Sequence, residues 1–163
     1  MGLYLNPNAD AFQMGLNTEI YVDKSLILSE LNKLVSSQGN FVCLSRPRRF
    51  GKSMAGNMIS AYYSKGCNTR EVFSQMKLGQ EPGFDKYLNK FNVIKLDLNG
   101  WYQNTKKKNT HASLIEQIDK IVAEEFKEQF QNIVFGDDEN SIDKCISKVY
   151  KLTGEKFVII IDE

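Results

Sequence analysis

Histidine is almost missing from this chain of 163 residues. His111 is the single one, and the three cysteines, Cys43, Cys67 and Cys145, stand far apart with no C-x-x-C pair. Those counts argue against a zinc site built on Cys and His. An odd number of widely spaced cysteines also argues against a disulfide framework, so a reduced, cytoplasmic setting is the default expectation. His111 itself reads as a polar residue near a helix start. No run approaches the ~18 apolar residues that a membrane span requires, so no membrane partner is expected. The opening Met1-Gly2-Leu3-Tyr4-Leu5 has no basic region followed by a long apolar core, unlike a signal peptide. Gly2 follows Met1, but Asn6 stands where a myristoylation signal needs Ser or Thr. Charge of one sign is also lacking: the net charge is +1, so no global field calls for a nucleic acid or a membrane. Internal repeats and low-complexity stretches are absent as well.

What is present is ordinary globular material, with 42% hydrophobic and 25% charged residues. The length suits one domain, residues 1–163, with a real core. Its most informative stretch is Arg46-Pro47-Arg48-Arg49-Phe50-Gly51-Lys52-Ser53. A phosphate-binding loop has the form G-x-x-x-x-G-K-S/T between a strand and a helix. Here Gly51, Lys52 and Ser53 are in register, while Arg46 stands where the first Gly belongs. A bare G-K-S arises by chance in about one chain in ten of this length, so the flanks decide the reading. The apolar run Phe41-Val42-Cys43-Leu44 precedes it, and a helical pattern follows.

The rest of the chain reads as alternating strands and helices. Residues 1–22 are expected to be irregular, with a turn at Asn6-Pro7-Asn8. A helix is expected from Asp23, with Ile27, Leu28, Leu31, Leu34 and Val35 on one face and Gly39-Asn40 as its stop. A first core strand follows over Asn40–Leu44, short and apolar as if buried on both faces. The loop 45–51 leads into a helix over Lys52–Ser64 whose inner stripe is Met54, Met58, Ala61 and Tyr62, stopped by Gly66. Residues 66–90 read as short helical turns and loops. A second strand is predicted over Asn92–Leu98, then a solvated polar loop with Lys106, Lys107 and Lys108. A long helix is predicted over Thr110–Gln131, with Leu114, Ile115, Ile118, Val122, Phe126 and Phe130 on its apolar face. Ser113 and Glu116 have capping-box spacing but could equally lie inside the first turn. A further helix covers Ser141–Leu152 and stops at Thr153-Gly154. Phe157-Val158-Ile159-Ile160-Ile161 then reads as a central parallel strand. The alternation implies an α/β layered fold with right-handed crossovers.

Each part of the loop has a chemical task. Gly51 lets the backbone turn so that successive N–H groups face a phosphate. The start of the next helix adds its positive dipole end. Lys52 offers a mobile point charge to the β- and γ-phosphates. The Ser53 hydroxyl can ligate Mg²⁺. The second half of such a site is an acid at the end of a buried strand. Asp162 and Glu163 stand there, the first to hold Mg²⁺ through its water shell, the second to orient or deprotonate an attacking water. A solvated strand terminus is the plain alternative for the pair.

Arg46-Pro47-Arg48-Arg49-Phe50-Gly51-Lys52-Ser53, Tyr21-Val22-Asp23-Lys24 and the closing Ile159-Ile160-Ile161-Asp162-Glu163 resemble the bacterial "predicted AAA-ATPase" family. Leu3-Tyr4-Leu5-Asn6-Pro7 and Ala61-Tyr62-Tyr63-Ser64-Lys65-Gly66-Cys67 fit it too, so the resemblance spans essentially the whole chain. It implies a three-layer P-loop NTPase with a mostly parallel sheet, of the additional-strand, catalytic-glutamate class. Lys52 and Ser53 then match the Walker A lysine and hydroxyl, and Asp162 and Glu163 the Walker B acids. Residues 46–53 would bind the nucleotide, Ser53 and Asp162 would hold Mg²⁺, and Glu163 would be catalytic. ATP and Mg²⁺ are the implied ligands, and ATP hydrolysis the activity of full-length members. Relatives often continue into a C-terminal domain similar to PD-(D/E)XK nucleases, which this sequence does not include, and self-association is a further expectation.

In that class the sheet order is 5-1-4-3-2. Strands 1, 3 and 2 would be residues 40–44, 157–161 and 92–98, and strand 4 would follow Glu163. A first strand without its neighbour leaves several N–H and C=O groups unsatisfied, each costing on the order of 1–3 kcal/mol. Either it pairs directly with the acidic strand or the sheet has a gap. On this reading the chain is the N-terminal fragment of an incomplete domain. Glu163 would be poorly held at the chain end, so nucleotide binding would be weak and hydrolysis negligible.

Three readings stay open for Arg46, Arg48 and Arg49: an ion pair that shapes the loop, a reach to a phosphate or partner subunit, or a nucleic-acid patch. Asp97 either faces the site or is a structural strand-end acid. Asp23 and Lys24 match the family without an evident mechanism. Competing functions are a nucleotide-dependent regulatory module without turnover, a nucleic-acid-associated module, and a kinase- or GTPase-class P-loop protein. In the last the acidic strand lies beside the strand that precedes the loop.

Overall fold

The computed structural model describes residues 2–45, 47, 50–102 and 113–162. Arg46, Arg48, Arg49, Lys106, Lys107, Lys108, Thr110, His111 and Glu163 lie outside the described residues. The chain divides into two compact units, one of Asn8–Lys90 and one of Met1–Pro7 with Phe91–Glu163.

The unit Asn8–Lys90 is helical. Its α-helices are α1 (Asp10–Leu16), α2 (Ile27–Leu34), α3 (Lys52–Tyr63) and α4 (Arg70–Ser74), followed by a 3-10 turn over Lys77–Gln80. Helix α1 corrects the expectation that residues 1–22 are irregular. The Asn8 Oδ1 accepts the Asp10 N–H at 3.2 Å, and Phe12, which is buried, stacks on Phe73 with ring centroids 5.4 Å apart. A single buried aromatic in seven residues is too sparse a pattern to read as a helical period. Helix α2 starts at Ile27 rather than Asp23 because Asp23 spends its carboxylate on the Ser25 N–H at 2.8 Å, a local turn that competes with helix. Helix α3 matches its expected span to within a residue, and Met58, Ala61 and Tyr62 are buried as expected. Its C-terminal end is gathered by Asn89, whose Nδ2 lies 3.0 Å from Ala61 O, 3.2 Å from Tyr62 O and 3.1 Å from Ser64 O.

The first core strand expected over Asn40–Leu44 does not form. Those residues are neither helix nor strand, and Phe41 is 95% exposed. Among the described residues the sheet has two strands, β1 (Asn92–Asp97) and β2 (Phe157–Asp162), and neither pairs with residues 40–44. An extended segment becomes a strand only when a neighbour takes up its N–H and C=O groups, and apolar character alone does not supply one.

In the other unit β1 and β2 run parallel, with Ile94 opposite Ile159 and Asp97 opposite Asp162. This pairing agrees with the adjacency of strands 2 and 3 that the resemblance implied. The chain between them carries α5 (Leu114–Gln129) and α6 (Ile142–Thr153). Ile94, Leu96, Val122, Phe126, Cys145 and Val149 pack into one core with Leu5. Leu5 reaches β1 by an antiparallel bridge to Ile94. The Asn6 N–H donates to Val93 O at 2.7 Å, and the Lys95 N–H donates to Tyr4 O at 2.9 Å. Glu125 on α5 fixes this opening segment, for its carboxylate accepts the N–H groups of Leu3, Tyr4 and Leu5 at 2.9, 3.0 and 2.7 Å.

Several boundaries and faces differ from expectation. Leu98 opens a helical stretch, residues 98–102, rather than closing β1. The Asp97 Oδ1 accepts the Gly100 N–H at 3.0 Å and so caps that stretch. The start expected for the long helix, Thr110, lies outside the described residues. At Leu114 the capping box is made in full: Ser113 Oγ accepts the Glu116 N–H at 3.2 Å and Glu116 Oε2 accepts the Ser113 N–H at 2.9 Å. Ile115, assigned to the apolar face, is exposed. Strand β2 is not central among the described residues. It has one strand neighbour, and Ile159 and Ile161 are 53% and 62% exposed. The mixed elements and small open parallel sheet are consistent with an incomplete α/β domain.

Candidate functional site

The loop before α3 turns at Phe50, whose N–H donates to Pro47 O at 3.3 Å. Gly51 follows with φ 77° and ψ 32°, the left-handed conformation that glycine adopts at little cost, and it forms the N-cap of α3. The helix ladder starts at once, with the Ala55 N–H on Gly51 O at 2.9 Å. Glycine has no side chain with which to cap, and no side-chain cap is made at this helix start. Lys52 is the first helical residue and half-buried; Ser53 beside it is exposed.

The charges at this helix start run against the usual pattern. In α1, α2, α4, α5 and α6 the first turn carries Asp10, Glu30, Glu71, Glu116 and Asp143, while α3 has no acid there and opens on a lysine. The N-terminal end of a helix is equivalent to roughly half a positive charge, so a lysine there is placed to its own disadvantage. An anion resting on the same turn would reverse that sign.

Lys24 joins the loop from the segment before α2. Its Nζ donates to Phe50 O at 3.1 Å. The residues on either side of it are clamped. Asp23 Oδ2 accepts the Lys77 N–H at 2.7 Å and Ser25 Oγ accepts the Leu78 N–H at 3.0 Å, so both cap the 3-10 turn. Partial burial pushes the Asp23 carboxyl up, but the hydrogen bonds from Lys77 and Ser25 outweigh it and hold the group below its ordinary range. Nearby Tyr21 is pushed up to about 12, by burial first and by the Asp23 charge second. The Asp23-Lys24 pair thus has a structural account that spacing alone did not supply. The signal was there in Asp23 and Ser25, two capping residues flanking one lysine.

On the unit that holds the sheet, Asp162 is half-buried at the carboxyl end of β2, opposite Asp97 at the end of β1. Lys95, paired with Ile160, is half-buried. Burial draws its ammonium below the ordinary lysine range, and the charges of Asp162 and Asp97 pull it partly back. The carboxyl ends of parallel strands are where open α/β sheets take their ligands. Asp97 serves as a helix cap, which favours the structural one of its two readings. Of the sequence-predicted residues, Pro47, Phe50, Gly51, Lys52 and Ser53 lie together on one unit and Asp162 on the other. Among the described residues no three His, Cys, Asp or Glu side chains cluster as a metal site, and no helix is long and apolar enough to cross a membrane.

A glycine-opened helix start bearing a lysine, and a parallel strand pair ending in acids, are parts of an α/β domain. The model of the family described as Predicted AAA-ATPase matches residues 11–163, and the chain belongs to that family. No curated protein and no solved structure matches it.

Proposed function

We propose that the chain is an ATP-binding P-loop domain of the catalytic-glutamate class, with a three-layer fold when its sheet is complete. The observation that carries this reading is the start of α3: a left-handed Gly51, then Lys52, with no acid in the first turn. The N–H groups of that turn, the helix dipole and the Lys52 ammonium would together hold the β- and γ-phosphates. Arg46, Pro47, Arg48, Arg49 and Phe50 would complete the loop around them. The Ser53 hydroxyl and the Asp162 carboxylate are each hard oxygen donors of the kind Mg²⁺ prefers, and each is a candidate ligand for it. When bound, that ion neutralises charge on the phosphate oxygens. Glu163 would position the water that attacks the γ-phosphate.

Calorimetric titration of the chain with Mg·ATP tests the reading. Wild-type protein is expected to bind, and Lys52→Ala to weaken binding by at least about tenfold, the loss of one charge-assisted contact. Equal affinity in the two proteins would sink it. Phosphate release measured on the same samples separates an ATPase from a regulatory module that binds without turnover.

A further inference from the structure

We propose that Lys24 is a positioning residue of the phosphate loop, aiming the Gly51 amide at the nucleotide by holding the carbonyl on the other side of the same peptide. This rests on the ATP-binding reading above and adds to it a residue outside the loop.

The Lys24 Nζ lies 3.1 Å from Phe50 O. A Cβ added at Gly51 would stand 3.3 Å from the same nitrogen, so the ammonium sits against the carbonyl side of the Phe50–Gly51 peptide. That peptide is trans. In a trans peptide the C=O and N–H point in opposite directions from one rigid plane. A group that fixes the carbonyl therefore fixes the direction of the amide. Glycine alone would not keep the plane still, since it has more conformational freedom than any other residue. With φ at 77°, Gly51 needs that freedom to make the turn and an outside contact to limit it.

Lys24 is suited to be that contact because its own backbone is held. Asp23 and Ser25 each accept an N–H from the 3-10 turn, at 2.7 and 3.0 Å. Ser25 is fully buried. The lever thus runs from the clamped Asp23–Ser25 segment, along the lysine side chain, to the carbonyl that precedes the loop glycine. Lys24 is placed away from the anion side of the peptide, so it acts through Gly51 and not as a phosphate ligand.

The test compares Lys24→Met, Lys24→Arg and Lys52→Ala with wild type by Mg·ATP titration. Alongside it, the Gly51 amide signal of ligand-free, ¹⁵N-labelled protein is recorded. Lys24→Met is expected to shift that signal, to leave the thermal midpoint unchanged because the side chain is exposed, and to weaken ATP binding about tenfold. Lys24→Arg, which keeps a charged donor, is expected to restore most of the affinity. An unmoved Gly51 signal, or wild-type affinity in Lys24→Met while Lys52→Ala loses binding, overturns the positioning role and leaves the P-loop reading standing. Failure of the wild-type chain to bind ATP overturns both. An arginine variant as weak as the methionine one overturns the positioning role as well.

Discussion

Replacing Asn89 by alanine should be among the most damaging single changes in the unit Asn8–Lys90. Asn89 sits at φ 55°, left-handed, where its own side chain makes that backbone tolerable. Its Nδ2 lies 3.0 to 3.2 Å from the carbonyls of Ala61, Tyr62 and Ser64 and 3.2 Å from Thr69 Oγ1. Two hydrogens serve these four acceptors, so about two full bonds are made. Its Oδ1 accepts the Thr69 N–H at 3.1 Å. Alanine keeps the backbone bond from the Asn89 N–H to Tyr62 O at 2.7 Å. Ala61 O also keeps the Thr69 hydroxyl at 2.9 Å. What is orphaned is the amide of Thr69, itself 1% exposed, and Ser64 O loses the amide donor it shares. An unsatisfied buried donor costs about 1–3 kcal/mol and a lost ordinary bond about 1 kcal/mol. The left-handed backbone adds roughly 1 kcal/mol for alanine. The sum is about 3–5 kcal/mol, a large share of a typical ~5–15 kcal/mol stability. Urea unfolding of Asn89→Gly, Asn89→Ala and Asn89→Asp should rank them in that order of decreasing stability. Glycine recovers the backbone term, and aspartate turns an oxygen toward carbonyls. A loss below ~1 kcal/mol for alanine, or aspartate more stable than alanine, would refute the assignment of Asn89 as the clasp on α3.

Asp23→Asn should remove an acid-dependent part of the stability. The folded carboxyl is held below its ordinary value, so its contribution is complete above the unfolded pKa of ~3.9 and fades as pH falls through the lower folded value. Unfolding curves taken from neutral pH downward should show the gap between wild type and Asp23→Asn closing in that acid window, and a gap independent of pH would contradict it. Glu125→Ala should free the opening segment, because one carboxylate holds three consecutive amides. Hydrogen exchange at Leu3, Tyr4 and Leu5 should accelerate by at least about tenfold, and unchanged exchange there would show that the bridge to β1 suffices alone.

The helices that carry a long apolar stripe were legible in the sequence. Helices α3, α5 and α6 stand within a few residues of expectation, since Gly51, Ser113 and Gly154 mark ends through local chemistry. The two apolar runs that became β1 and β2 were legible as strands, while their pairing was implied only by the sheet order of the family the sequence resembles. Residues 40–44 did not, because whether an apolar run becomes a strand depends on a partner elsewhere in the chain. Helix α1 was hidden for the opposite reason: its one buried side chain, Phe12, gives no period. Gly51, Lys52, Ser53 and Asp162 could be nominated as candidates by motif. Lys24 stood in a matching motif, but its contact was not legible, because its side chain crosses to a residue 26 positions away.

The bridge between Leu5 and Ile94 makes the sheet-bearing unit discontinuous in sequence. The whole of Asn8–Lys90 is spliced between two residues that lie side by side, as a guest within a host. A ribosome releases the guest first, so α3 can take shape while residues 2–7 still wait for β1 and for Glu125, 120 positions beyond Leu5. Closing so wide a loop is slow relative to local helix formation. The host is therefore the late step, and the chain's first residues are among the last to find their place.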